Sequence, residues 1–297
     1  MKKFINDTIR IETLIVPAVV IYTLVFIYPL VNGILLSLTD WNGYSTTYDF
    51  VGIDNYLKIF QDPRFNNSLK ITIKYLSIIA ICPIVFGYIS SSYLLLLKGK
   101  IQVLARTILL FPFALTPVIV GAMWDQIYYK FFPWIGKLLS IPFLEHNLLS
   151  NPKTALFAVA FVDCWTLLPL ATILFLAALE SIPKDVICAA MLDGANEFNI
   201  FLYIKLPYLS STLVILFLMY AKYALTSIDL IITLTGGGPG RYTETFYYLV
   251  YKNSSLEQKY SYGLAEGLFI SFIILCIFMV FERTILRKNN DIVTMEI

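Results

Sequence analysis

The chain has 297 residues, of which 58% are hydrophobic and 14% charged, with a mean hydropathy of +0.75 and a net charge of +2. A soluble globular domain carries about 25% charged residues, so composition excludes an ordinary soluble fold. The near-neutral balance argues against a nucleic-acid partner and against a polybasic membrane-surface protein. Cys82, Cys164, Cys188 and Cys276 are far apart and His146 is the sole histidine, so neither a disulfide framework nor a metal-ligand spacing is present in the sequence.

A spanning helix needs about 20 mostly apolar residues, because each rises 1.5 Å through roughly 30 Å of hydrocarbon. Residues 1–12, MKKFINDTIRIE, form a polar N-terminus, and the apolar run at 13–39 follows. That run exceeds the roughly 7–15-residue core of a secretory signal and contains two prolines, so it reads as an uncleaved first membrane helix. Further spans are expected at 72–97, 104–128, 154–179, 208–232 and 261–283. The expected fold is therefore all-α: a polytopic bundle of six transmembrane helices in one membrane domain, 13–287, followed by a tail at 288–297. Pro17, Pro29, Pro83, Pro112, Pro117 and Pro169 fall inside these spans and predict kinks rather than helix ends.

An even number of spans puts both termini on one side. Lys98, Lys100 and Arg106 in the short loop after the second span, the N-terminal Lys2, Lys3 and Arg10, and the C-terminal Arg283, Arg287 and Lys288 assign that side to the cytoplasm. The outer connections are then about 40–70, 129–153 and 233–260. The first, with TDWNGY (Thr39–Tyr44) and FVGIDNYLKIFQDPRF (Phe50–Phe65), predicts a packed cap with an amphipathic helix near Asn55–Gln61. In the last, LTGGGPG (Leu234–Gly240) predicts a sharp turn with positive φ. It lacks the preceding strand and the following Lys-Ser/Thr helix that a phosphate loop requires.

The stretch Ser181–Pro207, SIPKDVICAAMLDGANEFNIFLYIKLP, lies on the predicted cytoplasmic side. Pro183 favours a helix start, and Ile187, Ala190 and Met191 recur on one apolar face. Gly194, after Leu192 and Asp193, suits a helix C-cap in the left-handed conformation. A second helix, Ala195–Lys205, would present Phe198, Phe201 and Leu202. Periodicity alone fits a solvated connecting loop equally well.

Cys188-Ala189-Ala190, Gly194, Ile204 and Leu206-Pro207 together resemble the EAA loop of permease subunits of ATP-binding cassette importers. TDWNGY, FVGIDNYLKIFQDPRF, LLFPFALTPVIVGAMW (Leu109–Trp124) and LTGGGPG look like the carbohydrate-uptake branch, with its maltose-type and glycerol-phosphate-type permeases. The resemblance covers nearly the whole chain. It departs from the family at Cys188, where a glutamate is usual, so that the polar contact is lost or supplied elsewhere, by Asp185 or by the partner permease. The resemblance implies a type I importer permease fold in the cytoplasmic membrane. It also implies a sister permease, two ATPase subunits, an external substrate-binding protein and a carbohydrate substrate. The loop residues from Asp185 through Asp193 and Gly194 to Phe198, Ile204, Leu206 and Pro207 would dock on the ATPase. With no Walker-type GxxxxGK[S/T], this chain binds no cofactor, and ATP and Mg belong to the ATPase.

Ionisable groups inside spans are costly and face the bundle interior or water. For Asp229 and Glu266, near outer ends, pairing between helices or a headgroup position is expected. By the resemblance, Asp163, Leu167 and Leu170 face the sugar, with Tyr223, Thr226 and Ser227 in the corresponding region of the fifth span. Trp165, Tyr220 and Tyr223 are candidates for the aromatic face that a sugar ring needs. Lys222 points to an acidic or phosphorylated sugar, although a Lys222–Asp163 ion pair would account for both charges without a ligand. The alternative function is an ion-coupled secondary transporter with Asp163, Lys222 and Glu266 as relay groups. Nothing supports an intramembrane enzyme, since there is no HExxH and no Ser/His pairing.

Overall fold

The computed structural model describes residues 15–281. The expected N-terminus at 1–12, the tail at 288–297 and the basic residues assigned to them lie outside the described residues. In chain order the helices are α1 (Ile15–Ser37), α2 (Asp54–Gln61), α3 (Pro63–Leu96), α4 (Gly99–Ala114), α5 (Pro117–Leu139) and α6 (Ala155–Glu180). They continue with α7 (Lys184–Leu192), α8 (Glu197–Thr226), α9 (Asp229–Leu234), α10 (Phe246–Tyr251) and α11 (Tyr260–Phe281). Among the described residues there is no strand, only one isolated bridge between Thr39 and Phe50.

Four of these helices, α1, α3, α6 and α8, are long and apolar enough to cross a membrane. The third expected span, 104–128, is not one straight helix: α4 and α5 meet at a bend of 100°. The cause is local. A residue before proline is pushed out of the helical region, and Thr116, ahead of Pro117, is extended at ψ 145°, as is Leu115 at ψ 144°. Pro117 therefore starts a helix instead of kinking one. Counted as one span, the bent pair makes a fifth, and α11 contributes a shorter apolar stretch, Tyr260–Cys276.

Other prolines are accommodated differently. Wide π-type turns at Thr23–Ile27, Ile127–Phe131 and Phe201–Lys205 each end two residues before a proline, Pro29, Pro133 and Pro207. Proline brings no N–H for the carbonyl four residues back, and the widened turn relieves the clash of its ring with that carbonyl. As a result the predicted loop helix Ala195–Lys205 and the fifth span form one helix, α8, which stops at Thr226 rather than 232.

The chain divides into two compact units, the first holding residues up to 65 and from 249 onward, the second residues 66–248. In the first, α11 packs on α1 and α2. The expected amphipathic helix is present as α2, which turns Asn55 and Ile59 inward. Asn55 donates from Nδ2 to the carbonyls of Ser37 (2.8 Å) and Thr39 (2.7 Å), tying α2 to the end of α1. Arg64 donates to Glu257 (2.9 Å) and to Asn253, which in turn donates to the buried Glu266 (2.8 Å). Glu266 thus meets the expectation of a polar partner. Most of α1 is different: its residues from 15 to 31 are exposed on every side. A helix apolar all round is suited to lipid or to another chain.

In the second unit, α6 is the central element, burying residues along its whole length from Ala155 to Leu179 and contacting α8 and α9. Small residues set the distances between helices. A Cβ on Gly87 of α3 would lie 2.4 Å from the Cβ of Ala171 on α6, and one on Gly121 of α5 would lie 2.1 Å from Thr233 Oγ1 on α9. The Leu234–Gly240 turn has positive φ at Gly236, Gly237 and Gly240, as its glycines predict.

Candidate functional site

Two features of the second unit bear on function: a projecting helical loop and a polar cluster inside the helices. The loop starts at Ile182, which is buried and anchors the chain after α6. Pro183 is the N-cap of α7, one position earlier than a first-turn proline, with ψ 130°. No residue of α7 is buried. Asp185, Cys188 and Ala189 are exposed, as are Met191 at 52% and Leu192 at 89%.

The helix ends as its sequence predicts. Gly194 adopts φ +80°, its N–H donates to the Met191 carbonyl (3.1 Å), and the Ala195 N–H reaches back to the Ala190 carbonyl (2.9 Å). These two bonds are those of a Schellman C-cap, and they place Asp193 at the cap position. A Cβ at Gly194 would meet nothing within 4 Å, so the glycine serves the backbone conformation and leaves open space outside it. Asn196 then caps α8, its side chain accepting from the Asn199 N–H at 2.8 Å. Phe198 is 67% exposed, while Ile200 is buried and fixes the start of α8. Ile204 and Leu206 are half-buried and Pro207 is exposed. At the base of the loop Arg106 pairs with Glu180 at 3.0 Å.

Inside the helices, Asp163 on α6 is fully buried and accepts hydrogen bonds from two phenols, Tyr223 of α8 at 2.6 Å and Tyr75 of α3. Three helices are therefore joined through one carboxylate. Tyr75 is absent from the residues the sequence singles out; its span also carries Lys74, Ser77 and Tyr88, so its hydroxyl does not stand out in the sequence. Tyr220 is buried and donates to the Leu167 carbonyl (2.9 Å), which adds a second α8–α6 bond. Ser227 is buried just past the end of α8, and the Thr226 hydroxyl bonds back to the Lys222 carbonyl (3.0 Å).

Not every candidate joins this cluster. Lys222 is exposed and, among the described residues, forms no ion pair, so Asp163 is satisfied by phenols and not by a lysine. Trp165 packs edge-on against Trp124 (5.5 Å between centroids) and lines an apolar hollow of about 360 Å³ with Cys82, Phe86 and Phe161. Leu167 is buried and Leu170 half-buried. Asp229 is exposed in the first turn of α9, where a negative charge suits the helix dipole. Among the described residues no group of three His, Cys, Asp or Glu side chains is arranged to hold a metal ion.

Long apolar helices and an exposed, Schellman-capped helical loop define a multi-pass membrane protein. Residues 69–288 match the family described as "Binding-protein-dependent transport system inner membrane component", and the chain belongs to that family. It is 33% identical to the multiple sugar-binding transport system permease protein MsmF of Streptococcus mutans, over 97% of this chain and 98% of that one. It is 29% identical to the trehalose/maltose transport system permease protein MalF of Thermococcus litoralis, over 94% of each. Among solved structures, a bacterial ABC transporter that imports the acidic polysaccharide alginate has a chain of the same fold. That chain aligns with a TM-score of 0.78 and 19% identity, covering 96% of this chain and 98% of its own length. The chain is accordingly a multi-pass, nearly all-helical permease of the inner membrane, and the two relatives named are sugar permeases.

Proposed function

We propose that this chain is one of two permease subunits of a sugar importer, with six spans and both termini in the cytoplasm. Its α7 helix docks on a separate ATPase subunit. The observation that carries this reading is the state of the loop. α7 is a fully formed, capped helix with no buried residue, and it presents Met191 and Leu192, with Phe198 just beyond it, to the outside. Exposed apolar side chains on an ordered helix are the profile of a helix that another protein receives in a groove. ATP-driven closure of the ATPase pair would move α7, and with it α6 and α8, which flank the loop in the chain. The Tyr75–Asp163–Tyr223 bonds would carry that motion to α3. In this reading sugar is delivered by an external binding protein and passes near Asp163 and Tyr223, at the interface with the sister permease. The ion-coupled alternative needs Asp163, Lys222 and Glu266 to act as relay groups, and Lys222 is exposed and forms no ion pair among the described residues.

The experiment is sugar uptake by proteoliposomes holding the purified complex, with the binding protein outside and ATP inside. Uptake stopped by vanadate and indifferent to an uncoupler is the expected result. Uptake that persists without ATP and collapses with an uncoupler would overturn the proposal.

A further inference from the structure

The first unit contains a cavity of about 490 Å³ that neither the loop nor the Asp163 cluster involves. Its volume lies within the roughly 300–1,000 Å³ typical of small-molecule sites. The wall comes from three pieces of chain: the residues after α1, the polar face of α2, and the turn leading into α11.

One part of the wall is fixed. Trp41 donates from Nε1 to the Ser45 carbonyl at 2.8 Å and packs edge-on against Tyr260 at 5.1 Å, while Asn55 is clamped by its two carbonyl acceptors. Ser261 shares a hydrogen bond with Thr39 at 3.0 Å, and the Tyr262 hydroxyl lies 3.5 Å from Asp62. The other part is uncommitted. The side chains of Lys58, Gln61 and Gln258 line the cavity and, among the described residues, make no hydrogen bond or ion pair. Gln258 is held there in a left-handed conformation, φ +56°. Two lysines, Lys58 and Lys259, and two aspartates, Asp40 and Asp62, give the lining no net charge.

We infer that this cavity binds a neutral saccharide, with Trp41 and Tyr262 as its aromatic wall and Lys58, Gln61 and Gln258 hydrogen-bonding the hydroxyls. The chemistry selects the ligand class. A sugar offers many hydroxyls that both donate and accept, together with apolar C–H faces. Amides that donate and accept, next to immobilised aromatic rings, match both. An apolar ligand would leave the amides and Lys58 unpaired, at a cost of about 1–3 kcal/mol for each group desolvated. A phosphate or uronate would meet two aspartates with no surplus of positive charge. The inference rests on the sugar-import reading above, and it adds a saccharide contact remote in sequence from Asp163.

Saturation-transfer NMR on the assembled importer in lipid nanodiscs, without the binding protein, tests this with maltotriose, trehalose and raffinose as probes. Uptake of the same three sugars is measured in parallel. Signal transfer to at least one sugar is expected. The Gln61→Ala/Gln258→Ala variant, checked for an unchanged melting profile, should weaken its binding about five- to ten-fold per lost hydrogen bond. Lys58→Ala should act in the same direction. Uptake of a sugar that gives no signal, or a signal that the variants leave intact, overturns the cavity assignment alone. Variants that loosen capture of the binding protein but not of the sugar also overturn it, reassigning the cavity to a protein contact. A signal without uptake of any of the three overturns the importer reading for these sugars and leaves the cavity standing; absence of both overturns both.

Discussion

Tyr223 donates its phenolic hydrogen to Asp163 over 2.6 Å, and Tyr75 donates to the other carboxyl oxygen, so that α3, α6 and α8 share one buried carboxyl group. The geometry changes what substitutions there should do. Removing one hydroxyl leaves a carboxylate with one charge-assisted bond fewer, in a fully buried position. Tyr75→Phe and Tyr223→Phe should each lower the stability of the solubilised complex by about 0.6–2 kcal/mol, the range for hydrogen bonds between membrane helices and to charged groups. In an Asp163→Asn background both effects should shrink, because the charge that strengthens the bonds is gone. Thermal unfolding of the three single and two double variants measures this coupling, and strictly additive losses would show that the three residues do not act together. Uptake separates a structural from a substrate role. If sugar passes here, Tyr223→Phe raises the half-saturating sugar concentration, whereas Tyr75→Phe, at a fully buried position, affects stability alone.

Much of the architecture is legible in the sequence because lipid imposes one rule, a run of about 20 apolar residues, and α1, α3, α6 and α8 obey it. The α2 helix and the Gly194 cap are legible for another reason: both follow from local patterns, amphipathic spacing and the need for positive φ. Tertiary consequences are not legible. That Thr116 would break the third span while Pro83 and Pro169 stay inside helices depends on how neighbours satisfy the freed carbonyls. Tyr75 looks like any aromatic in a span until α6 brings Asp163 against it. Trp165 and Lys222 carry the right chemistry for a sugar, but helical rotation sends Trp165 to an apolar hollow and leaves Lys222 exposed.

Glu257 accepts from Arg64 and from Lys259, each at 2.9 Å. Burial acts to raise its pKa, but the hydrogen bonds and positive charges of Lys259 and Arg64 outweigh it and hold the carboxyl below its ordinary value. A depressed carboxylate contributes stability that is fully present above the unfolded value, about 4.3, and is lost as pH falls through the depressed one. The melting temperature of the complex should therefore fall more steeply below about pH 4 in the wild type than in Glu257→Gln. Parallel curves for the two proteins would remove Glu257 from the acid response.

Cys188 is exposed on α7, whereas Cys82, Cys164 and Cys276 are half-buried. A maleimide should label Cys188 fastest in the isolated chain, and assembly with the ATPase should slow that labelling by an order of magnitude or more, since a docked helix is shielded from solvent. Unchanged labelling on assembly would mean that α7 is not the docked element. Because α7 has no buried residue, Cys188→Glu disturbs no packing within the chain. It should leave sugar-stimulated ATP hydrolysis within about two-fold of wild type, the scale of an exposed charge contact.

Gly194 allows shape and conformation to be separated. Its φ of +80° costs a residue with a Cβ about 1–2 kcal/mol, and asparagine pays less because it tolerates the left-handed region. No atom lies within 4 Å of a Cβ at this position, so the first side-chain carbon meets no neighbour within the chain. Gly194→Ala should loosen the α7 C-cap and lower sugar-stimulated ATP hydrolysis several-fold. If the turn conformation is what matters, Gly194→Asn should restore most of that activity. If the open space is also occupied by the ATPase, Gly194→Asn should stay low and Gly194→Trp should abolish binding of the ATPase, while the chain still inserts in the membrane. Hydrolysis and pull-down measured on the three variants decide between these outcomes. Full transport by Gly194→Trp would show that α7 does not lie in the path of coupling.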